Sequence, residues 1–222
     1  MTPLSVVYAT DEDIALRASA DFALLCPRDQ KLAAGSDGVF DPSDRWTLRS
    51  ASVDFAAQGL APGHVVQLTG PASAFRPPGE TLVVSSVAPG AIRLRRKGQL
   101  DGVGQPPAPI DGLSGIVFLV ATRGPQIERA SDDLNRRYGI DEGMTGHCPT
   151  DLADTRALRE ATVLSVLHRR YLEMSREAGG QPDVFATKGQ LVKAELDDLL
   201  ARVVVHWGAA LATDRFSTRL SR

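Results

Sequence analysis

The side chains best suited to acid–base or metal chemistry are two cysteines and four histidines. His147 and Cys148 are adjacent, and together with Cys26 and a carboxylate they could ligate a metal ion. His168, beside Leu164 on a helical pattern, could act as a base. Because the possible ligands are scattered along the chain and not set at metal-binding spacings, we interpret His147 and Cys148 as loop residues.

The remaining titratable residues have structural explanations. His168 flanks an apolar stripe, which is typical of a partly buried, hydrogen-bonded histidine. His206 ends the last predicted helix, where a cationic ring suits the negative end of the helix dipole. His64 precedes a strand in a turn, and no role is predicted for it. The adjacent aspartates at 132–133 and 197–198 point in different directions on a helix, so neither pair forms a catalytic dyad.

Sequence motifs of the common reaction classes are missing from the chain. It has no phosphate-binding loop, no nucleophile elbow, no Cys-x-x-Cys and no His-Glu-x-x-His. Gly102-Val103-Gly104 lies in a segment rich in Gly and Pro, which is typical of a flexible loop and not of a nucleotide-binding turn. We therefore expect a structural subunit that is not an enzyme and uses no cofactor or metal.

A short basic run comprises Arg93, Arg95, Arg96 and Lys97. One interpretation is contact with a phosphate backbone. The interpretation we favour is the solvated face of an edge strand, where basic residues discourage pairing with other sheets. The chain has 25 basic and 27 acidic residues and a net charge of −2, which does not demand a nucleic-acid binder.

Composition indicates an ordinary globular protein. The 222 residues are 43% apolar and 23% charged, enough for one large domain or two small ones. With 5% aromatics, the core must depend on aliphatic side chains. Two unpaired cysteines favour a reducing compartment, and the N-terminus resembles no signal peptide, so synthesis in the cytoplasm is expected, with no membrane association.

The middle of the chain predicts β structure. Thr10 is expected to cap a short helix, after which Pro27 and residues 34–38 form a loop. A long Gly- and Pro-rich loop at 98–115 is expected to be either a contact arm or disordered. Five short strand patterns separated by turns predict a small antiparallel barrel or sandwich, at residues 45–50, 65–69, 81–87, 91–95 and 116–120.

The last third predicts helices. Pro125 begins a helix at 125–138 that Gly139 ends. Longer helices are predicted at 154–178 and 183–205, and the short Gly-Gly-Gln-Pro link between them makes an antiparallel hairpin.

The predicted fold class is α+β, with a C-terminal antiparallel helical bundle and an inserted small antiparallel β-barrel or sandwich. Four parts are expected: residues 1–44 as an N-terminal helix and loop joining the helical part, 45–122 as the β domain, 123–207 as the helical core and 208–222 as a polar, Arg-rich tail.

Two places resemble proteins of tailed-phage particles. Residues 53–68, with Pro62-Gly63 turning the chain into a strand above Phe55 and Leu60, are similar to small β domains of phage neck and tail proteins, although His64 stands where Asp is usual. The C-terminal third resembles the head–tail connector (adaptor) proteins of long-tailed bacteriophages. That likeness is carried by residues 134–140, the helix at 154–178 and Asp183-Val184-Phe185-Ala186-Thr187-Lys188.

The resemblance implies a concrete function. Such adaptors form a homo-oligomeric ring, usually of twelve copies, beneath the portal protein in the virion neck. They extend the DNA channel without specific DNA binding and dock the next neck or tail-terminator protein. Their C-terminal segment often reaches into the portal, which here implies a portal-binding tail containing Arg215, Phe216, Arg219, Leu220 and Arg222.

Two alternatives remain. A tail-completion or baseplate-associated structural subunit would make its contacts chiefly through the β domain. A cytosolic enzyme would use His168 or His147 with nearby acids, and replacing His147, Cys148 and His168 by alanine would then abolish its function.

Overall fold

The computed structural model describes residues 6–19, 21–25, 30–75, 79–140, 152–177 and 184–205. The chain divides into a barrel unit, Thr10–Arg123, and a helical unit formed by Met1–Ala9 and Gly124–Arg222. The barrel unit is thus inserted into the sequence of the helical unit. None of the described helices is both long and apolar enough to cross a lipid bilayer.

The strands of the barrel unit form a closed antiparallel barrel. Of the two forms predicted for the β domain, the barrel is therefore the one observed, and the fold class is α+β as predicted. Around the barrel the strand order is β1-β2-β5-β4-β3-β6. Closure pairs every strand on both sides and leaves no free edge. The strands are β1 (Lys31–Asp41), β2 (Asp44–Arg49), β3 (Val65–Gly70), β4 (Glu80–Ala88), β5 (Ala91–Arg95) and β6 (Ser114–Ala121).

Strand β1 corrects the sequence analysis, which predicted a loop at 34–38. The segment pairs with β2 and β6, and its glycines serve close packing, not a turn. A Cβ on Gly35 would lie 2.6 Å from the Phe118 ring, and one on Gly38 would lie 2.9 Å from Ile116 Cβ. Glycine inside a strand often marks such a close approach. Consequently the barrel unit begins at Thr10, well before residue 45.

Strand β5 corrects a second expectation. The basic run was interpreted as one face of an edge strand, yet β5 is paired on both sides. Arg93 lies opposite Thr47 of β2, and Leu94 lies opposite Val84 of β4. The edge interpretation is wrong because the barrel closes, and closure is a property of the whole sheet that no single strand pattern reveals.

The barrel core is mainly aliphatic, with a few phenylalanines at its centre. The Phe55 and Phe118 ring centroids lie 5.5 Å apart, and both side chains are almost fully buried. Phe55 and Leu60 are core residues, as predicted for the segment that precedes the Pro62-Gly63 turn. The interior is filled by alternate residues of the strands, which is how a small barrel makes a packed core.

Two short helices precede the strands. Helix α1 (Asp11–Arg17) begins with the predicted Thr10 cap: Asp13 Oδ2 accepts the Thr10 N–H at 2.8 Å, and Thr10 Oγ1 accepts the Asp13 N–H at 3.4 Å. These reciprocal bonds form a capping box. Helix α2 spans Phe22–Leu25.

The helical unit contains α3 (Gly124–Tyr138), α4 (Arg156–Glu177) and α5 (Val184–Arg202), at the three positions predicted. Helix α4 packs against both α3 and α5. The Tyr171 and Phe185 rings stack with centroids 6.4 Å apart. His168 Nδ1 lies 3.0 Å from the Gly189 carbonyl oxygen. Of the two α4 residues, the later one, Tyr171, meets the earlier α5 residue, Phe185. Position along α5 therefore falls as position along α4 rises, so the two helices run in opposite directions.

A segment before the barrel completes the helical core. Tyr8 is buried with Leu134, Leu158 and Leu164. Its N–H donates to Ser131 Oγ at 3.2 Å, and its hydroxyl donates to Asn135 Oδ1. Burial raises the pKa of Tyr8 to about 12. Residues far apart in sequence therefore share one core, and Tyr8 lies in the segment 1–44 that was expected to join the helical part.

Candidate functional site

The residues that could have done catalytic or metal chemistry are either structural or outside the described residues. Cys26, His147 and Cys148 belong to the second group. The half-buried His168 meets the Gly189 carbonyl across the α4–α5 contact, which is a structural role. Within the described ranges, no group of three or more His, Cys, Asp or Glu side chains could hold a metal ion.

The helical aspartates engage in ion pairs on the helix surfaces. Asp133 accepts from Arg169 at 2.6 Å and from Arg136 at 2.8 Å, and chiefly the Arg169 bond lowers the pKa of Asp133. Asp197 accepts from Lys193 at 2.6 Å. These contacts explain the aspartates without a catalytic dyad, although exposed pairs of this kind add little stability.

The predicted portal-binding residues Arg215, Phe216, Arg219, Leu220 and Arg222 lie outside the described residues. Their role stays a prediction.

The three arginines of the basic run are neutralised by acidic residues from other parts of the barrel unit, whereas Lys97 donates to the Ser19 hydroxyl at 2.6 Å. Arg93 Nε donates to Asp101 Oδ2 at 2.7 Å, and a second bond joins Arg93 to Asp44. Both acids hold the pKa of Arg93 above its usual range, with the Asp101 bond as the largest cause. These ion pairs leave Arg93 poorly placed for a phosphate.

The next two arginines are held in the same way. Arg95 Nη1 donates to Glu12 Oε1 at 2.5 Å, so β5 is tied to α1. Arg96 Nη1 donates to Glu80 Oε1 at 2.5 Å, at the start of β4. A guanidinium satisfies a carboxylate best because its planar donors match the two oxygens.

The same arginines also hold down the loop at residues 98–113, which we call the arginine-held loop. Arg95 Nη1 donates to the Gln99 carbonyl at 3.1 Å, and Arg96 Nε donates to the Gln105 carbonyl at 2.8 Å. Arg45 forms an ion pair with Asp111 at 3.3 Å. Ala108 is fully buried in the barrel core. These contacts give the described loop a defined position on the barrel.

The arginine-held loop exposes three large aliphatic side chains. Leu100 is 80% exposed, Ile110 59% and Val103 49%. Single exposed aliphatic residues are common, but several on one anchored loop are typical of an interaction site. We define Leu100, Val103 and Ile110 as the outer apolar residues. Since the loop backbone is already fixed by the arginines, a partner would lose little entropy in ordering it.

A buried charge cluster at the ends of the barrel unit was missed by the sequence analysis. Asp11 is 2% exposed, and its Oδ1 accepts the Arg123 N–H at 2.7 Å. Burial raises the pKa of Asp11. Burial lowers the pKa of the nearby His64, which the charge of Asp11 partly offsets. An acid in the first turn of a helix is normally a surface residue, so the sequence carries no signal of this burial.

Comparison of the chain with protein-family models, with curated proteins and with solved structures found no match of any of the three kinds. The functional interpretation therefore rests on the residues themselves and on their geometry.

Proposed function

We propose that this chain is a structural virion neck protein, a head–tail adaptor of the long-tailed bacteriophage type. It forms a homo-oligomeric ring beneath the portal, extends the DNA channel and docks the tail or the next neck protein. It acts at the junction of capsid and tail after synthesis in the host cytoplasm, and it has no catalytic activity.

The helical unit supports the adaptor assignment. We infer that α3, α4 and α5 form an antiparallel bundle that serves as the ring-forming core. Leu134, Leu164 and Leu196, one from each helix, share a single buried cluster. Ile140, at the end of the phage-like segment 134–140, is buried in the same cluster.

The observation that carries the proposal is the arginine-held loop. A loop fixed by arginines with apolar side chains directed outward is suited to a permanent protein–protein contact. Arg93, Arg95 and Arg96 all engage carboxylates. A wall neutralised in this way matches a channel through which DNA passes without specific binding, because phosphate attraction needs unpaired positive charge.

The tail residues supply the second contact of the proposal. Arg215, Arg219 and Arg222 alternate with Phe216 and Leu220. This spacing is typical of a segment that becomes ordered when it binds a groove. We propose that it inserts into the portal protein.

A second candidate function is a tail-completion or baseplate-associated subunit. The placement of the outer apolar residues on the barrel favours it, because the barrel and not the helical unit would then make the main contacts. The two candidates differ in which unit is needed for assembly.

The deciding experiment is mass photometry of the full chain, alone and with the portal protein. For the adaptor, we expect a ring or a stoichiometric portal complex that is lost when residues 208–222 are removed. Leu100→Asp with Ile110→Asp should weaken ring formation while leaving the thermal unfolding midpoint nearly unchanged, since both side chains are exposed.

Gln58→Asp is the matched control, because it adds a charge at an exposed barrel position outside the loop. A chain that stays monomeric and does not bind the portal protein would contradict the adaptor proposal. If the chain does not bind the portal but assembles by itself, and the Leu100/Ile110 variant does not, the tail-completion function is favoured.

A further inference from the structure

The beginning and the end of the barrel unit are joined by one carboxylate. Asp11 follows Thr10, where the unit begins, and its Oδ1 accepts the N–H of Arg123, where the unit ends, at 2.7 Å. The Asp11 side chain is 2% exposed, so this bond is shielded from water. A hydrogen bond to a charged acceptor in such surroundings is stronger than an exposed one.

The start of α1 also rests on the turn that contains His64. The Glu12 N–H donates to the Gly63 carbonyl at 3.2 Å, and a Cβ built on Gly63 would touch Thr10 at 3.4 Å. The turn is closed by two bonds between its ends: the His64 N–H donates to the Ala61 carbonyl at 3.2 Å, and His64 Nδ1 accepts the Ala61 N–H at 3.0 Å.

The second of these bonds fixes the protonation state of His64. A ring nitrogen accepts a hydrogen bond only when it carries no proton, so Nδ1 is bare and the ring is neutral with its proton on Nε2. A protonated ring would set an Nδ1–H against the Ala61 N–H. Two donors facing each other lose the bond and repel.

We propose that His64 and Asp11 form a proton-operated latch on the ends of the barrel unit. Uptake of one proton at His64 Nδ1 breaks the bond from Ala61, opens the turn at 61–64 and releases the Glu12 N–H from Gly63. The start of α1, which Asp11 ties to Arg123, is then held by fewer contacts. This inference does not depend on the neck function proposed above.

The direction of the switch follows from the groups around the pair. Burial lowers the pKa of His64 below 6.5, and Asp11 is the charged group that raises it in part. Neutral His64 therefore contributes stability that is fully present above pH 6.5 and is lost as the pH falls through the lowered pKa. The latch is closed at neutral pH and opens on acidification.

Asp11 titrates in the opposite sense. Burial raises its pKa, against bonds from Arg123 and Thr122 and the charges of His64 and Arg123. Its contribution is fully present below pH 3.8 and is lost as the pH rises through the raised pKa, so it cannot produce a loss on acidification. The two residues can thus be told apart by the sign of the pH dependence.

The test is hydrogen–deuterium exchange of the full chain at about pH 7.5 and at a pH about one unit below the His64 midpoint found by NMR, corrected for the intrinsic pH dependence of exchange. We expect faster corrected exchange at the lower pH in peptides covering residues 10–17 and 61–66, and no change in peptides of β2. His64→Asn, whose Oδ1 can accept the Ala61 N–H without titrating, should remove the difference. His168→Asn is the matched control and should keep it.

Equal corrected exchange at both pH values would overturn the proposal, as would an acid-induced increase that persists in His64→Asn. A second measurement does not depend on whether the His64→Asn protein folds. The His64 ring, followed by NMR in the wild-type chain, should titrate below 6.5, and in Asp11→Asn it should titrate lower still because the attracting charge is gone. A titration at or above 6.5 would also overturn the latch.

Discussion

At the scale of single residues, arginine organises the outer wall of the barrel. Arg93 binds two carboxylates, that of Asp44 and that of Asp101 in the arginine-held loop. Arg96 binds the Glu80 carboxylate and the Gln105 carbonyl of the same loop, so each arginine joins three segments. The planar fork of the guanidinium makes this possible, whereas a lysine would present a point charge to one partner at a time. Side chains of the sequence's most basic stretch are thus used for internal structure.

Asp41 gives a prediction at this scale. Its carboxylate accepts bonds from the Ser43 hydroxyl at 2.7 Å, from the Ser43 N–H at 2.9 Å and from Arg49 Nε at 2.8 Å. These bonds lower the pKa of Asp41 to about 2. The depressed pKa means that its contribution to stability is present above 3.8 and is lost as the pH falls through about 2.

We expect carbon NMR of the Asp41 carboxyl to show this low pKa, and Ser43→Ala to move it upward, since the hydroxyl bond is its largest cause. Asp41→Asn should remove the corresponding part of the acid-induced loss of stability. A carboxyl that titrates near 3.8 in the wild-type chain would contradict the assignment.

At the scale of elements, two glycines of similar appearance have opposite roles. Gly35 lies in β1 against the Phe118 ring, where a Cβ would come within 2.6 Å. Gly189 lies in α5, where a Cβ would meet Tyr171 Cβ at an ordinary 3.5 Å. The first glycine is required by packing, while the second is not.

Alanine at each position tests this difference. Gly35→Ala should destabilise the barrel by roughly 1–3 kcal/mol, because the added methyl overpacks a filled core. Gly189→Ala should stabilise α5 by up to about 1 kcal/mol, because alanine is the better helix former and the added methyl makes only ordinary van der Waals contacts. Urea unfolding measures both. A Gly35→Ala protein as stable as the parent would show that β1 does not pack closely on β6.

At the scale of the whole molecule, the barrel is an insertion. Its two ends meet at the Asp11–Arg123 bond, as is typical of a domain that is inserted into the sequence of another domain. Tyr8 and residues after 124 belong to the helical unit, so that unit is built from both sides of the insertion.

Residues 10–123 should therefore fold alone as a stable barrel with a cooperative thermal transition. Replacing 10–123 by a short glycine linker should leave a helical protein, because the two flanking segments are joined where the barrel's ends already lie close together. Circular dichroism checks both proteins. A fragment 10–123 without a cooperative transition would show that the barrel depends on the helical unit.

A deletion limited to residues 45–122 should instead leave the remaining barrel residues unfolded, because β1 and part of β2 would lose their partner strands.

Local sequence patterns determined the elements that depend on neighbouring residues. The Thr10 cap, the five strands with turn residues between them and the three long helices follow from side-chain spacing and from Gly and Pro positions. Strand β1 could not be predicted because its glycines imitate a loop, and only the Phe118 and Ile116 side chains across the barrel explain them. The burial of Asp11 in the first turn of α1 could not be predicted from the sequence either.

The sequence by itself thus determined the type of the other strands and of the long helices, the aliphatic core and the near-neutral charge of this protein, since each depends on composition and short-range periodicity. Only the tertiary structure decided that the sheet closes, that the unit starts at Thr10, that the arginines of the basic run are neutralised and that Asp11 meets Arg123. Closure, ion pairing and burial are contacts between residues distant in the chain, and no local pattern specifies which distant residues will meet.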